Sequence, residues 1–136
     1  MRILGIDYGA RRVGLAISDP TRLIAQPLTT IIRDQADSWW EQLGAVITAQ
    51  DVEEVVVGYP LTLSGGVSGQ TAEVDRFITA LKERTSVPVH RYDERLTSKA
   101  AQRALQQQGI KTGHHKDMVD RVAAALMLQD FLDSQP

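Results

Sequence analysis

The sequence predicts a single α/β domain, a β-sheet with helices on its faces, and three observations carry that prediction. Two short apolar runs near the N-terminus are separated by a glycine-containing turn. A continuous β-branched run in the middle of the chain has the composition of a strand buried on both sides. Towards the end, apolar residues recur at the three- and four-residue spacing of a helix.

Taken in order, residues 2–7 and 12–18 are strands, and Tyr8-Gly9-Ala10-Arg11 joins them as a hairpin. Gly9 is expected to supply the positive φ that a tight turn asks for. Residues 24–32 are rich in Ile, Leu and Thr, and Pro27 demotes this third strand to an edge or irregular position, because proline has no amide to give a ladder. After Asp34 the period changes. Trp39, Trp40, Leu43, Val46 and Ile47 mark an amphipathic helix over about 36–50. Residues 54–58, Glu-Val-Val-Val-Gly, form the doubly buried strand, ended by Tyr59-Pro60. The loop 61–70 carries Gly65, Gly66 and Gly69 among serines and is expected to be flexible. Thr71 is positioned to cap a helix whose buried stripe is Val74, Phe77, Ile78 and Leu81. A short strand follows over 87–92, then a helix opened by Thr97 or Ser98 and stopped at Gly109. The last helix starts at about Lys116, with Val119, Val122, Ala123, Leu126, Met127 and Phe131 as its apolar face.

Composition narrows the function classes. A chain of 136 residues has the size of one domain, 1–136, able to bury roughly two-thirds of its unfolded surface. It is 43% hydrophobic and 24% charged, as ordinary globular proteins are, which sets aside disorder and fibrous classes. The absence of cysteine removes disulfides and thiolate metal sites, so any metal is held by oxygen or histidine. No signal peptide or apolar span of membrane length is visible, and a cytoplasmic location is expected. A net charge of −2 argues against coating nucleic acid by bulk attraction and leaves room for a local basic groove.

The acids at element ends carry the chemistry. Asp7 closes the first strand, where open α/β sheets gather their ligands. Asp93-Glu94 ends the strand over 87–92, and strand alternation sends the two side chains to opposite faces, so one of them joins a shared site. Asp120 and, one turn earlier, Asp117 lie at the start of the last helix. Carboxylates suffice to bind a hard cation such as Mg²⁺, and a pair of such ions can drive hydrolysis of a phosphodiester. Each acid also has a plain alternative: a turn former at Asp7, a helix-dipole partner at Asp120 and above all at Asp117, a surface ion pair for Glu94 with Arg95. Arg11, Arg12, Lys99, Arg103, Lys111, Lys116 and Arg121 flank these segments and could hold phosphates. Trp39 and Trp40 could stack bases, although helical spacing puts at least one in the core. His114-His115 lacks the spacing of a zinc site, and the Gly-rich loop lacks the Gly-Lys-Ser/Thr ending of a P-loop.

Four motifs in order give a resemblance over nearly the whole chain. They are Gly5-Ile6-Asp7-Tyr8-Gly9 with Arg12-Val13-Gly14-Leu15-Ala16; Val57-Gly58-Tyr59-Pro60-Leu61; Asp93-Glu94-Arg95-Leu96-Thr97-Ser98; and Val119-Asp120 leading into Ala123-Ala124-Ala125-Leu126-Met127-Leu128-Gln129-Asp130. In these the chain resembles the YqgF family, also called RuvX, of Holliday junction resolvases and pre-16S rRNA processing nucleases. The resemblance implies a ribonuclease H-like fold with a five-stranded mixed sheet whose first three strands are antiparallel. It implies Asp7, Glu94 and Asp120 as catalytic and metal-binding acids, Asp117 as an auxiliary acid, Mg²⁺ or Mn²⁺ as cofactor, and structured RNA or branched DNA as substrate. Arg11, Arg12, Arg95, Lys99 and Lys116 would then contact nucleic acid. The family commonly reads Gly-Leu-Pro-Leu-Asn-Met-Asp-Gly where this chain has Gly58-Tyr59-Pro60-Leu61-Thr62-Leu63-Ser64-Gly65, a departure that bears on loop contacts and substrate preference. Two other readings are carried with this one. One is a ribosome-assembly or junction-binding module that binds without cutting; the other is an actin-like or sugar-kinase-like ATPase, disfavoured because such enzymes clasp nucleotide between two domains. Either a monomer or a homodimer is compatible.

Overall fold

The computed structural model describes residues 1–33, 38–59, 69–93 and 116–135. The elements are β1 (Arg2–Tyr8), β2 (Arg12–Ser18), β3 (Ala25–Ile32), α1 (Ser38–Ala49), β4 (Val52–Tyr59), α2 (Gly69–Arg84), β5 (Val89–Asp93) and α3 (Lys116–Asp133). They form a five-stranded mixed sheet of order β3-β2-β1-β4-β5, in which β1–β2 and β2–β3 are antiparallel and β1–β4 and β4–β5 parallel. The leading strands thus pair as expected, and β3, with Pro27 in it, is an edge strand. At that proline the β2–β3 register slips, between Leu15 and Ala16.

Strand alternation divides the core into two layers. On one face Leu4, Ile6, Leu15, Val55 and Val57 pack against Trp39 and Leu43 of α1 and Phe77, Ile78 and Leu81 of α2. On the other, Ile3, Ala16 and Val56 meet Ala124, Ala125, Met127, Leu128 and Leu132 of α3. The valines of β4 serve both layers, which is why that strand reads as an unbroken apolar run.

The second layer is thin. A Cβ added to Gly5 would lie 2.9 Å from Leu128 Cβ and 3.3 Å from the Ala124 carbonyl, and one added to Gly14 would lie 2.2 Å from the Asp120 carbonyl oxygen. The helix therefore rests on the bare backbone of β1 and β2. This shifts its buried face from the expected one. Val119, Val122, Ala123, Leu126 and Phe131 are only half-buried, whereas Ala124, Ala125, Leu128 and Leu132 join Met127 in the interior. A periodicity weighted towards large side chains misses a contact built from alanine and glycine.

Other boundaries also move. Helix α2 begins two residues before Thr71, which sits inside its first turn at 1% exposure instead of capping it. Gly9 does not take a left-handed φ: its role is spatial, since a Cβ there would stand 2.8 Å from the Arg12 carbonyl oxygen that accepts the Gly9 amide. Among the described non-glycine residues, the positive φ values fall on Arg22 and Asp51. The expected helix over 98–109, the loop 61–68 and His114-His115 lie outside the described residues.

A buried hydroxyl anchors the start of the sheet. Where the β1–β4 register slips between Arg2 and Ile3, the Ile3 amide donates to Ser18 Oγ at 2.8 Å, and Ser18 Oγ donates to the Asp19 carbonyl at 3.0 Å. Ser18 is fully buried. Ser18→Ala is expected to cost about 1–3 kcal/mol, because it strands a buried amide without an acceptor. A urea titration followed by circular dichroism measures it.

Candidate active site

Asp7 occupies the next-to-last position of β1, half-buried, at the strand's C-terminal end. Its parity is that of Ile3 and Gly5, the residues whose neighbours belong to α3, so its carboxylate stands on the α3 face of the sheet. Across the antiparallel ladder Asp7 pairs with Gly14. Directly opposite residues share a face, and the place a Gly14 side chain would take is filled by the Asp120 carbonyl. One glycine thus brings the backbone of Asp120 onto the strand position facing Asp7.

The Asp120 carboxylate is oriented in turn. Arg12, on the same face of β2 as Gly14, donates Nε to Asp120 Oδ2 at 2.5 Å; the two side chains are 29% and 22% exposed. Arg12 was expected to hold phosphate; here its guanidinium holds a carboxylate. Arg12→Ala is expected to lower stability by about 1 kcal/mol, the upper end for a partly exposed pair. Thermal unfolding tests this, with Arg12→Lys expected to retain part of the loss.

The other expected site residues divide clearly. Glu94, Arg95 and Lys99 lie outside the described residues, as do Arg103 and Lys111. Lys116 and Asp117 form the first turn of the α3 backbone, and their side chains are outside the description. Arg11 is exposed in the β1–β2 turn, where its carbonyl accepts the Arg33 amide at 2.8 Å. Arg121 donates Nε to Thr30 Oγ1 at 3.3 Å, which ties α3 to the edge strand. Asp93 pairs with Tyr59 and has the parity of Arg91, whose Nη2 lies 2.9 Å from Asp75 Oδ1 of α2. It therefore faces away from Asp7, as alternation required of one of the two neighbouring acids. Among the described residues no three carboxylate or histidine side chains meet closely enough to hold a metal. The two that do share a face, Asp7 and Asp120, offer oxygen alone, the donor type hard divalent cations select.

On the opposite face, the residue after Asp7 opens a second feature. Tyr8, Trp39, Trp40 and Phe77 line a cleft of about 400 Å³ with Arg33 and Arg76 at its rim. Burial pushes the Tyr8 phenol above its ordinary pKa, with Glu73 adding to the rise and Arg33 and Arg76 opposing it. Sequence patterning singled out the tryptophans and missed both arginines. The available signal was Tyr8 itself, which alternation must turn away from Asp7 into whatever covers the other face.

Comparison with known proteins gives this arrangement its family. The chain is 43% identical over 137 residues to a protein of Syntrophus aciditrophicus, covering 98% of this chain and 89% of the relative. It is 44% identical over 133 residues to one of Chloroflexus aggregans, covering 98% and 94%. Both relatives carry the name "Putative pre-16S rRNA nuclease". Among solved structures, the fowlpox virus resolvase in complex with Holliday junction DNA superposes with a TM-score of 0.60 at 14% identity, covering 98% of each chain. Thermus thermophilus RuvC with a Holliday junction substrate gives 0.58 at 20% identity, covering 98% of this chain and 97% of that one. These likenesses identify the fold as ribonuclease H-like. The profile of the family described as "RuvX: Holliday junction resolvase" matches residues 1–134, and the chain belongs to the RuvX family.

Proposed function

We propose that this chain is a metal-dependent nuclease that hydrolyses phosphodiester bonds in structured nucleic acid, with Asp7, Asp120 and Glu94 as its catalytic carboxylates. The observation that supports it most is that the Asp120 backbone lies against Gly14, the residue that pairs with Asp7. Two acids 113 positions apart are held on one face, at the strand end where α/β sheets place their chemistry. Mg²⁺ or Mn²⁺ held there would activate the attacking water and stabilise the leaving oxygen.

The chain's own residues supply position and charge. Asp7 stands on the central strand, bonded to neighbours on both sides, and so presents its oxygens from a rigid base. Arg12 fixes one Asp120 oxygen, and in this reading the other serves the cation. Asp93 turns to the α2 face, which supports the reading that Glu94 is the acid this segment contributes. Asp117 is an auxiliary acid on the same helix. Arg11, Arg95, Lys99 and Lys116 hold the nucleic-acid backbone, a role that needs cations near the strand ends and no sequence selectivity.

The names of its relatives point to the 5′-end processing of pre-16S rRNA, and the family description points to Holliday junctions. Trimming RNA needs a monomer, whereas paired cuts in a four-way junction call for a two-fold dimer. No helix of the described residues is long and apolar enough to cross a membrane, and we place the activity in the cytoplasm. The deciding experiment incubates the full chain with a four-way DNA junction and with a pre-16S rRNA fragment, in Mg²⁺, in Mn²⁺ and in EDTA. Cleavage in either metal and none in EDTA is expected; cleavage that persists in EDTA rules the mechanism out.

A further inference from the structure

The cleft on the α1–α2 face has a chemistry of its own that the carboxylate centre does not use. Its walls are aromatic. Tyr8 stacks on Phe77 with centroids 4.2 Å apart, Trp39 on Trp40 at 4.3 Å, and Trp40 on Phe77 at 5.4 Å. Cations stand over these rings. The Arg33 guanidinium is 4.5 Å from the Tyr8 centroid and 5.3 Å from that of Trp39, and Arg84 is 4.3 Å from Trp40. Arg76 is exposed at the rim, and Glu73 is the acid beside it.

Two details argue against a purely structural aromatic cluster. Trp39 and Phe77 are buried as core residues should be, but Trp40 and Tyr8 remain half-exposed to the cleft. Arg33 donates Nη1 to the Gly9 and Ala10 carbonyls at 2.8 and 3.0 Å, while its Nε, shielded from solvent, has no partner among the described residues. A guanidinium set over rings and bonded to two carbonyls, with a further donor that has no partner among the described residues, can stack a planar group and also bond an oxygen.

Position supplies the rest. Gly9 and Ala10, which Arg33 grips, belong to the turn that begins two residues after Asp7, so the cleft and the carboxylates share a single sheet edge and open on opposite sides of it. At about 400 Å³ the cleft falls within the roughly 300–1,000 Å³ of small-ligand sites. Planar rings, planar guanidiniums and peripheral positive charge are the set that receives an unpaired nucleotide: the base stacks, and its phosphate meets arginine.

We infer that this cleft binds one unpaired nucleotide of a nucleic-acid strand whose neighbouring backbone passes the Asp7 edge, and so selects substrates with a single-stranded segment beside the cleavage point. The inference rests on the nucleic-acid reading above but not on the metal. A free nucleotide has the same base and phosphate, and the test separates the two sources.

Trp39 and Trp40 are the two tryptophans of the chain, so intrinsic fluorescence reports on the cleft directly. The full chain is titrated in EDTA with a short oligoadenylate, a blunt duplex and free AMP. Affinities are measured in parallel by anisotropy, using end-labelled forms of the two nucleic acids and competition by AMP. The oligoadenylate is expected to quench the tryptophans and the duplex to leave them unchanged. Arg76→Glu, at an exposed position, and Trp40→Leu should each weaken oligoadenylate binding by about tenfold, the scale of one stacked base. Unquenched tryptophans, equal quenching by the duplex, AMP binding as tight as the oligomer, or unaltered affinity in both variants overturns the inference. Metal-dependent cleavage by the wild type is scored separately: a chain that cuts while its tryptophans stay silent loses this site and keeps the nuclease reading.

Discussion

Asp7→Asn is expected to lower cleavage by about a hundred- to a thousandfold while the protein stays folded. The substitution keeps shape and removes charge, and removing even one preorganised electrostatic group costs about 10²–10³ in turnover. The same change leaves the sheet intact, because the residues that β1 buries in the two core layers are Ile3, Leu4, Gly5 and Ile6. Asp7 itself is half-buried, so an amide in its place costs little packing. Turnover on the preferred substrate and the melting temperature should be measured on one preparation. A variant that cuts at the wild-type rate removes Asp7 from the chemistry; one that fails to fold reveals a structural role instead.

Gly14→Ala is the second large effect, and it acts through the backbone, at a residue that carries no reacting group of its own. The added methyl would stand 2.2 Å from the Asp120 carbonyl oxygen and 2.9 Å from the Arg121 nitrogen. Both are backbone atoms of a helix and cannot swing aside, so α3 has to lift. Overpacking of this kind costs about 1–3 kcal/mol, and a rigid neighbour puts this case at the upper end. Lifting the helix also carries Asp120 away from Asp7, and a misplacement of about 1 Å can cost roughly a hundredfold in rate. Gly5→Ala is the matched control. Its closest contact is the Leu128 side chain, two turns further along α3, so it should lose stability and keep more of its activity. Equal activity in Gly14→Ala and wild type would show that the approach of helix to strand does not set the site.

Much of this arrangement is legible in the residues. The strands β1, β2 and β4 follow from local composition, since a strand buried on both faces has no polar side to show. Pro27 identifies an edge because a missing donor is tolerated there. The acids at element ends follow from where strands stop. What sequence does not carry is the thickness of a layer. Glycine and alanine contribute almost nothing to an apolar periodicity, yet Gly5, Gly14, Ala124 and Ala125 fix how closely α3 approaches and which of its faces is buried. Nor can spacing pair Arg12 with Asp120, 108 positions away, and a cation beside an acidic site is naturally read as a phosphate ligand. The cleft is illegible for a related reason: its lining comes from β1, the turn after it, the end of β3, α1 and α2, and no single stretch contains its chemistry.

The outer strand β3 has one more consequence. An open strand of eight residues, with Ile32 at 56% exposure near its end, would ordinarily be a template on which another chain could add itself. Pro27 deletes a donor from that rim, and the slip beside it bends the backbone out of the straight geometry a newcomer would need. A single imino acid thereby makes this rim a poorer template for intermolecular strand addition, and does so without drawing on the charge around the site.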